Sequence, residues 1–199
     1  MNISDATAKD RMTVDGHTLI FDTSAISSDD ESNAILRSDA NLFGDLIMNN
    51  PSVDTVIVSG DGGSLYASYE IARTIMTFDL NVVARGDCES GCAIVFLGGK
   101  TRTLEKGARL GFHRSSTEAD NHKKHYELRK DKAGWKDEFA YARWTYEDGQ
   151  IVARDFIAYL IQRGVAVDFA LRTLIPSGDD MWYPSIEELA KAGVLTEPE

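Results

Sequence analysis

The sequence has few cysteines, few prolines and no long hydrophobic run, and it is short of positive charge. Its 199 residues include two cysteines and four prolines, and 21 Lys and Arg stand against 32 Asp and Glu, a formal charge of −11. No stretch approaches the ~20 consecutive apolar residues of a membrane span, so we expect none. Phosphate backbones repel an acidic chain, so we expect no broad nucleic-acid binding either.

The N-terminal residues 1–16, MNISDATAKDRMTVDG, carry early acids and no apolar segment. We therefore interpret them as a polar arm and not as a signal peptide. The chain is expected to be soluble, and its compartment is left open. It would be the cytoplasm, or the periplasm if a signal has been removed.

The two cysteines, Cys88 and Cys92, lie on either side of Ser90. The plainer interpretation, which we favour, is two small buried residues in a reducing compartment. The alternative is a local disulfide around Ser90, because cysteines at helical spacing have Cα atoms roughly 6 Å apart. Even with His113 added, they make a weak zinc pattern, so we expect no metal, and the chemistry considered below needs no organic cofactor.

Short strands alternate with helices through the first 114 residues. Strands are predicted at 17–21, 55–59, 80–85 and 108–114, and helices at 41–48, 64–78 and 92–99. A turn is predicted at 86–91. Short β-branched runs between helices are typical of a parallel sheet, and the alternation predicts an α/β fold with right-handed crossovers.

The segment 115–150 differs in character, because it is charged and rich in aromatic residues. It predicts one long, partly exposed helix or a pair of helices. Amphipathic helices are predicted to follow at 151–163, 167–175 and 185–193. The last of them begins with Ser185 and Glu188, which form a capping-box pattern.

Ser90 is the first candidate for chemistry, because it lies between a strand and an apolar helix. At a helix N-terminus the free N–H groups and the positive end of the dipole point outward. A nucleophile in this position can use the N–H of Gly91 to stabilise an oxyanion. Taken alone, Ser90 is better explained as an ordinary helix N-cap, the commonest role of serine at such a place.

Two further features at strand ends change that interpretation. Gly62 and Gly63 follow a buried strand, and such a pair can present backbone N–H groups, although a tight turn or an incomplete phosphate-binding loop would look similar. His113 ends a third strand, where an ordinary half-buried histidine is the plainer alternative. Because neighbouring parallel strands bring their carboxyl ends together, we expect Gly63, Ser90 and His113 to meet.

These segments together resemble the proteolytic subunit of the Clp protease and the wider ClpP/crotonase superfamily. VIVSGDGGSLYASYEIARTI is similar to the family's strand, S-P-G-G turn and helix, and GDCESGCAIVFLGG to its G-x-x-x-S-x-G-A segment. TLEKGARLGFHRS is similar to the strand that ends in the catalytic histidine, and MWYPSIEELAKAGVLTE to the C-terminal ending. The likeness covers roughly residues 42–114 and 176–196, and it points to a bacterial branch of ClpP-like, often exported proteins.

The resemblance implies an α/β fold, a ClpP/crotonase-like spiral of ββα units. It implies a single domain over residues 1–199, with residues 115–150 as a helical insertion. Members of the ClpP family are serine hydrolases that cleave peptide bonds. The resemblance therefore implies a peptidase with peptide or protein substrates. Its site would use Ser90 as nucleophile, His113 as general base, Asp180 as the acid (with Asp179 and Asp168 as alternatives) and the N–H groups of Gly63 and Gly91 as the oxyanion hole.

The sequence also departs from the family pattern. Asp61 replaces the proline of the S-P-G-G turn, and an inward-pointing acid would disfavour an oxyanion. The segment 115–150 replaces the family's ring-stacking handle, which makes a ClpP-type tetradecamer doubtful. Its surplus of aromatic residues predicts a homo-oligomer contact or a lid over the active site. Alternative functions are a crotonase-like acyl-CoA enzyme and a non-catalytic ClpP-fold binding or assembly module.

Overall fold

The computed structural model describes residues 11–24 and 33–196, which form two compact units. The described part of the first unit comprises residues 11–24, 33–112 and 183–196. The second unit is His113–Trp182. The first unit contains the sheet together with helices, and the described elements of the second unit are all helices.

The first unit is built on a six-stranded sheet. Its strands are β1 (Met12–Asp15), β2 (Thr18–Asp22), β3 (Thr55–Gly60), β4 (Asn81–Glu89), β5 (Arg102–Leu104) and β6 (Arg109–Gly111). The order is β1-β2-β3-β4-β5, and only the β1–β2 hairpin is antiparallel. β5 pairs with the first half of β4 and β6 with its last three residues, so β4 is the longest strand.

One set of helices packs on this sheet, and a different set makes up the second unit. The first unit contains α1 (Arg37–Asn49), α2 (Leu65–Thr77), α3 (Gly91–Leu97) and α7 (Ile186–Lys191). The second contains α4 (Ala119–Ala133), α5 (Glu138–Gln162) and α6 (Val167–Arg172). The face of α2 that carries Ala67, Ile71 and Ile75 is buried, as its helical spacing predicts. No helix within the described ranges is long and apolar enough to cross a membrane.

The α/β class predicted from the sequence is confirmed, with three local corrections. The turn predicted at 86–91 is wrong for its first four residues, because β4 continues to Glu89, where β6 provides a partner. Residues 12–15, assigned to the polar arm, form β1, while residues 1–10 lie outside the described residues. The boundary between the segment 115–150 and the helix predicted at 151–163 is wrong, because α5 runs through it without a break and accommodates Gly149.

A buried ion pair connects the start of the described chain to α1. Arg11 is 2% exposed and donates two hydrogen bonds to the carboxylate of Asp39, at 2.8 and 2.9 Å. Its guanidinium also donates to the carbonyl of Ala34 at 2.6 Å. Asp39 in turn accepts the N–H of Leu36 at 2.7 Å, which caps the first turn of α1. Each charge thus has a partner of opposite sign where water is excluded, although burial still raises the pKa of Asp39.

Candidate functional site

Ser90 joins β4 to α3 in a backbone conformation that is unusual for a residue with a side chain. Its φ is 51° and its ψ is −115°. Such a conformation costs on the order of 1–3 kcal/mol and persists only where the surroundings enforce it. The N–H of Ser90 donates to the carbonyl of Gly111 in β6 at 2.9 Å. Ser90 is at the N-cap position of α3, but its side chain makes no capping hydrogen bond to this helix, so ordinary capping does not explain it.

Three glycines form the walls around this turn. A Cβ on Gly62 would lie 2.5 Å from the nitrogen of Gly91 and 2.8 Å from the Cβ of Ser90. A Cβ on Gly91 would lie 2.6 Å from the Oγ of Ser68 and 3.1 Å from the nitrogen of Gly63. The two glycine turns are therefore in direct backbone contact, which only residues without a side chain permit.

Two backbone N–H groups at this contact are not used by secondary structure. The bridge between Ile35 and Gly63 uses the carbonyl of Gly62 and the N–H of Ser64, at 2.5 and 2.8 Å, and leaves out the N–H of Gly63. Gly91 is the first residue of α3, where N–H groups have no partner within the helix. Neighbouring N–H groups of this kind can accept a developing oxyanion.

The turn is also closed by a disulfide between Cys88 and Cys92, whose Cα atoms are 5.1 Å apart. Both cysteines are buried. Our favoured interpretation of two free cysteines is therefore wrong, and the alternative of a bridge around Ser90 is confirmed. Spacing alone could not decide between them, because the same four-residue separation fits both states.

Replacing both cysteines by alanine is expected to lower the free energy of unfolding by about 2 kcal/mol, because the bridge closes only a short loop. Urea unfolding of the wild type and the double variant measures the difference. A thiol assay on the denatured wild type should count two thiols after reduction and none without reductant. Equal unfolding midpoints for the two proteins would show that the bridge does not stabilise the turn.

A cluster of side chains fixes the residue before Ser90. The hydroxyl of Tyr183 donates to the carboxylate of Glu89, and the guanidinium of Arg109 lies 4.3 Å from the centre of the Tyr183 ring. Arg109 also donates two hydrogen bonds to Asp87, at 2.9 and 2.7 Å, and lowers the pKa of that carboxyl group. Burial and the Glu89 carboxylate raise the pKa of Tyr183 to about 12, so it remains a donor at neutral pH.

Sequence reasoning missed this cluster. Tyr183 is 94 residues from Glu89, and neither residue carried a recognisable signal. The only indication was that both lie in segments similar to the family, GDCESGC and MWYPS. Asp61, which raised a doubt about the oxyanion, is exposed to solvent, where water weakens its effect on a nearby charge.

The other predicted site residues lie in the second unit. His113 is its first residue and is half-buried. The three candidate acids, Asp168, Asp179 and Asp180, are all exposed, and Asp180 accepts the N–H of Met181 at 2.8 Å. The acid of a catalytic triad is normally buried, so exposure singles out none of them. The roles of His113 and of the acid remain predictions. Among the described residues, no group of three or more His, Cys, Asp or Glu side chains could hold a metal.

Comparison with known proteins identifies the fold. No family model and no curated protein matches this chain. It is similar to the solved structure of a mutant ClpP1 from Listeria monocytogenes, with a TM-score of 0.58 and 13% identity over 98% of this chain and 94% of the other. It is also similar to a "putative enoyl-CoA hydratase" from Streptomyces coelicolor, with a TM-score of 0.53 and 15% identity.

The second comparison covers 94% of this chain and 65% of the hydratase chain, so this protein spans about two thirds of that structure's length. Both neighbours carry the names of enzymes. The protein is therefore an α/β protein with the ClpP/crotonase fold, as the sequence resemblance implied.

Proposed function

We propose that the protein is a serine hydrolase that cleaves peptide bonds, with Ser90 as its nucleophile. The observation that carries this proposal is the left-handed conformation of Ser90 at a strand-to-helix turn, beside the N–H groups of Gly63 and Gly91. Strained serines at such turns expose their hydroxyl to substrate in other hydrolases. A strain that no local cap explains is typical of functional positions.

In the proposed reaction, the Oγ of Ser90 attacks the peptide carbonyl carbon while its proton passes to His113. The electron pair of the carbonyl moves to oxygen, and the N–H groups of Gly63 and Gly91 stabilise the resulting oxyanion. Collapse breaks the C–N bond, and the leaving amine takes the proton from His113. Water then hydrolyses the acyl-serine by the same sequence of steps. The resemblance favours Asp180 as the residue that orients His113.

His113 is supported as the base by its place in the chain. It follows Gly111 by two residues, and the carbonyl of Gly111 accepts the N–H of Ser90. Two residues of extended chain span at most ~7 Å, which limits how far the backbone of His113 can lie from Gly111. The same position in TLEKGARLGFHRS is the one that resembles the family's catalytic histidine.

Incubation with a mixture of unstructured peptides, read by mass spectrometry, tests the proposal. We expect cleavage by the wild type and a loss of at least about 1000-fold in Ser90→Ala, since removing a nucleophile eliminates the covalent route. His113→Ala should lose a similar factor. Ser52→Ala is the matched control, because Ser52 is exposed and distant in sequence from the turn, and it should cleave like the wild type. Undiminished cleavage by Ser90→Ala would refute the assignment.

A crotonase-like reaction on an acyl-CoA thioester is the second candidate function. The paired N–H groups of Gly63 and Gly91 favour it as well, because they could stabilise an enolate oxygen instead of a tetrahedral oxyanion. This reaction needs no serine nucleophile. Calorimetric titration with CoA and acetyl-CoA separates the candidates. Tight CoA binding, together with a Ser90→Ala variant that keeps the wild-type activity on acyl-CoA, fits only the crotonase-like reaction. A protein that neither cleaves peptides nor binds CoA, and whose Ser90 reacts with no acylating reagent, would fit the non-catalytic module.

We also propose a homo-oligomer whose contact lies in the helical segment 115–150. Leu128 is 81% exposed, Phe139 85% and Tyr146 72%. Phe139 and Tyr146 are seven residues apart and so share one face of α5. Burying such side chains is favourable by roughly 1.5–3 kcal/mol each, which gives a second copy a reason to cover them.

Light scattering at micromolar concentration is expected to give a multiple of the 22.0 kDa chain mass. The double variant Phe139→Ser/Tyr146→Ser should shift that mass toward the monomer, because it removes the apolar face. Met48→Ser, which changes an exposed apolar residue of α1, should leave the mass unchanged. A wild type that scatters as a monomer would exclude the oligomer and favour a lid.

A further inference from the structure

A cluster of aromatic rings joins α4 to α5 in the second unit. The ring centres of Trp135 and Tyr141 are 4.8 Å apart, those of Trp135 and Trp144 5.0 Å, and those of His125 and Trp144 5.5 Å. The hydroxyl oxygen of Tyr141 lies 2.9 and 3.2 Å from the Nδ1 atoms of His122 and His125. Tyr141 is buried, so the rings around it are held in defined positions.

Beside this cluster lies a cleft of about 380 Å³ that is open to solvent. This volume is within the range of pockets that hold small molecules, roughly 300–1,000 Å³. Its lining residues are His125, Arg129, Lys132, Ala133, Trp135 and Trp144. Two indole rings thus share the cleft with two cationic side chains.

The two cations of the cleft have no carboxylate partner within the described part of the chain. Lys130, Arg143 and Arg154, the paired cations of the same two helices, each contact an acid. Arg129 and Lys132 form no ion pair with any described residue, although the protein carries a net charge of −11. Together with His125 they occupy one face of α4, at spacings of four and three residues. The cleft is therefore a local site of positive charge in an acidic protein.

We propose that this cleft binds a planar aromatic anion. Its ring would pack against the indoles of Trp135 and Trp144, and its phosphate or carboxylate would lie between Arg129 and Lys132. Indole rings stack on nucleobases and other flat rings, and cations recognise either anion by charge-assisted hydrogen bonds. A neutral ring would leave the cations unused, and a free inorganic ion would leave the indoles uncovered. The apolar face of Phe139 and Tyr146 lies on another side of α5 than Trp144, and neither residue lines the cleft.

Isothermal titration calorimetry with four compounds tests the site. AMP supplies a ring with a phosphate, 2-naphthoate a ring with a carboxylate, adenosine the ring alone and inorganic phosphate the anion alone. We expect AMP, 2-naphthoate or both to saturate below about 1 mM, and adenosine and phosphate to bind at least about tenfold more weakly. Binding of only one of the two compounds shows which combination of ring and anion the cleft accepts.

Variants locate the binding. Arg129→Ala/Lys132→Ala should weaken the bound anion at least about tenfold, because two charge-assisted hydrogen bonds are lost. Lys123→Ala/Lys124→Ala removes the same charge from other faces of α4 and should bind like the wild type. Trp144→Ala should also weaken binding, with circular dichroism to check that the helices remain. The proposal is wrong if neither AMP nor 2-naphthoate saturates the protein below about 1 mM. It is also wrong if Arg129→Ala/Lys132→Ala binds the anion as well as the control Lys123→Ala/Lys124→Ala does.

Discussion

Replacing Gly91 by alanine is expected to slow the acylation of Ser90 by about 100-fold or more. The new Cβ would lie 2.6 Å from the Oγ of Ser68 and 3.1 Å from the nitrogen of Gly63. The turn must shift to relieve these contacts, which would disturb the oxyanion site that we propose for the N–H groups of Gly63 and Gly91. Single-turnover hydrolysis of an activated ester, followed at saturating substrate, measures the acylation rate.

The control for this result is Gly44→Ala in α1. A Cβ on Gly44 would meet nothing within 4 Å, so acylation should be unchanged. Because alanine is a better helix former than glycine, this variant should raise the free energy of unfolding by about 0.5–1 kcal/mol. If Gly91→Ala acylates at the wild-type rate, the N–H groups of this turn do not stabilise the oxyanion.

Replacing Arg11 by methionine is expected to cost about 3–5 kcal/mol of the free energy of unfolding. The substitution leaves the carboxylate of Asp39 buried without its cation, since both side chains are almost completely inaccessible. Urea denaturation followed by circular dichroism measures the loss. It is the largest effect on stability that we expect from any single ion pair of the described residues.

Two further variants distinguish the pair from its neighbours. Arg11→Met/Asp39→Leu should recover much of the loss, because an apolar pair of similar volume needs no desolvation of charge. Arg154→Ala removes an exposed pair with Asp155 and should cost less than about 1 kcal/mol. A loss for Arg11→Met as small as that for Arg154→Ala would contradict the role of the buried pair.

The parts of the fold that follow local patterns were predictable from the sequence. The β-branched run of β3, the amphipathic spacing of α2 and the capping box at Ser185 are all written in a few neighbouring residues, and each is found where it was expected. The placement of Gly63 beside the turn of Ser90 was also predictable, because parallel strands align their carboxyl ends.

The parts that depend on distant residues were not predictable. Arg11 looked like a residue of a polar arm, and only the position of Asp39, 28 residues later, shows why it is buried. The extension of β4 to Glu89 depends on pairing with β6. The acid of the proposed triad belongs to the same category, because three aspartates were candidates and only their surroundings could choose among them.

Reaction with a fluorophosphonate, located by mass spectrometry of the digested protein, tests the central claim most directly. Such reagents phosphonylate serines whose hydroxyl is activated and which lie beside an oxyanion site. We predict one adduct per chain, on the peptide that contains Ser90, present in Ser52→Ala and absent from Ser90→Ala. A folded wild-type protein that forms no adduct, or that forms it at a different residue, would contradict the assignment of Ser90 as an activated nucleophile.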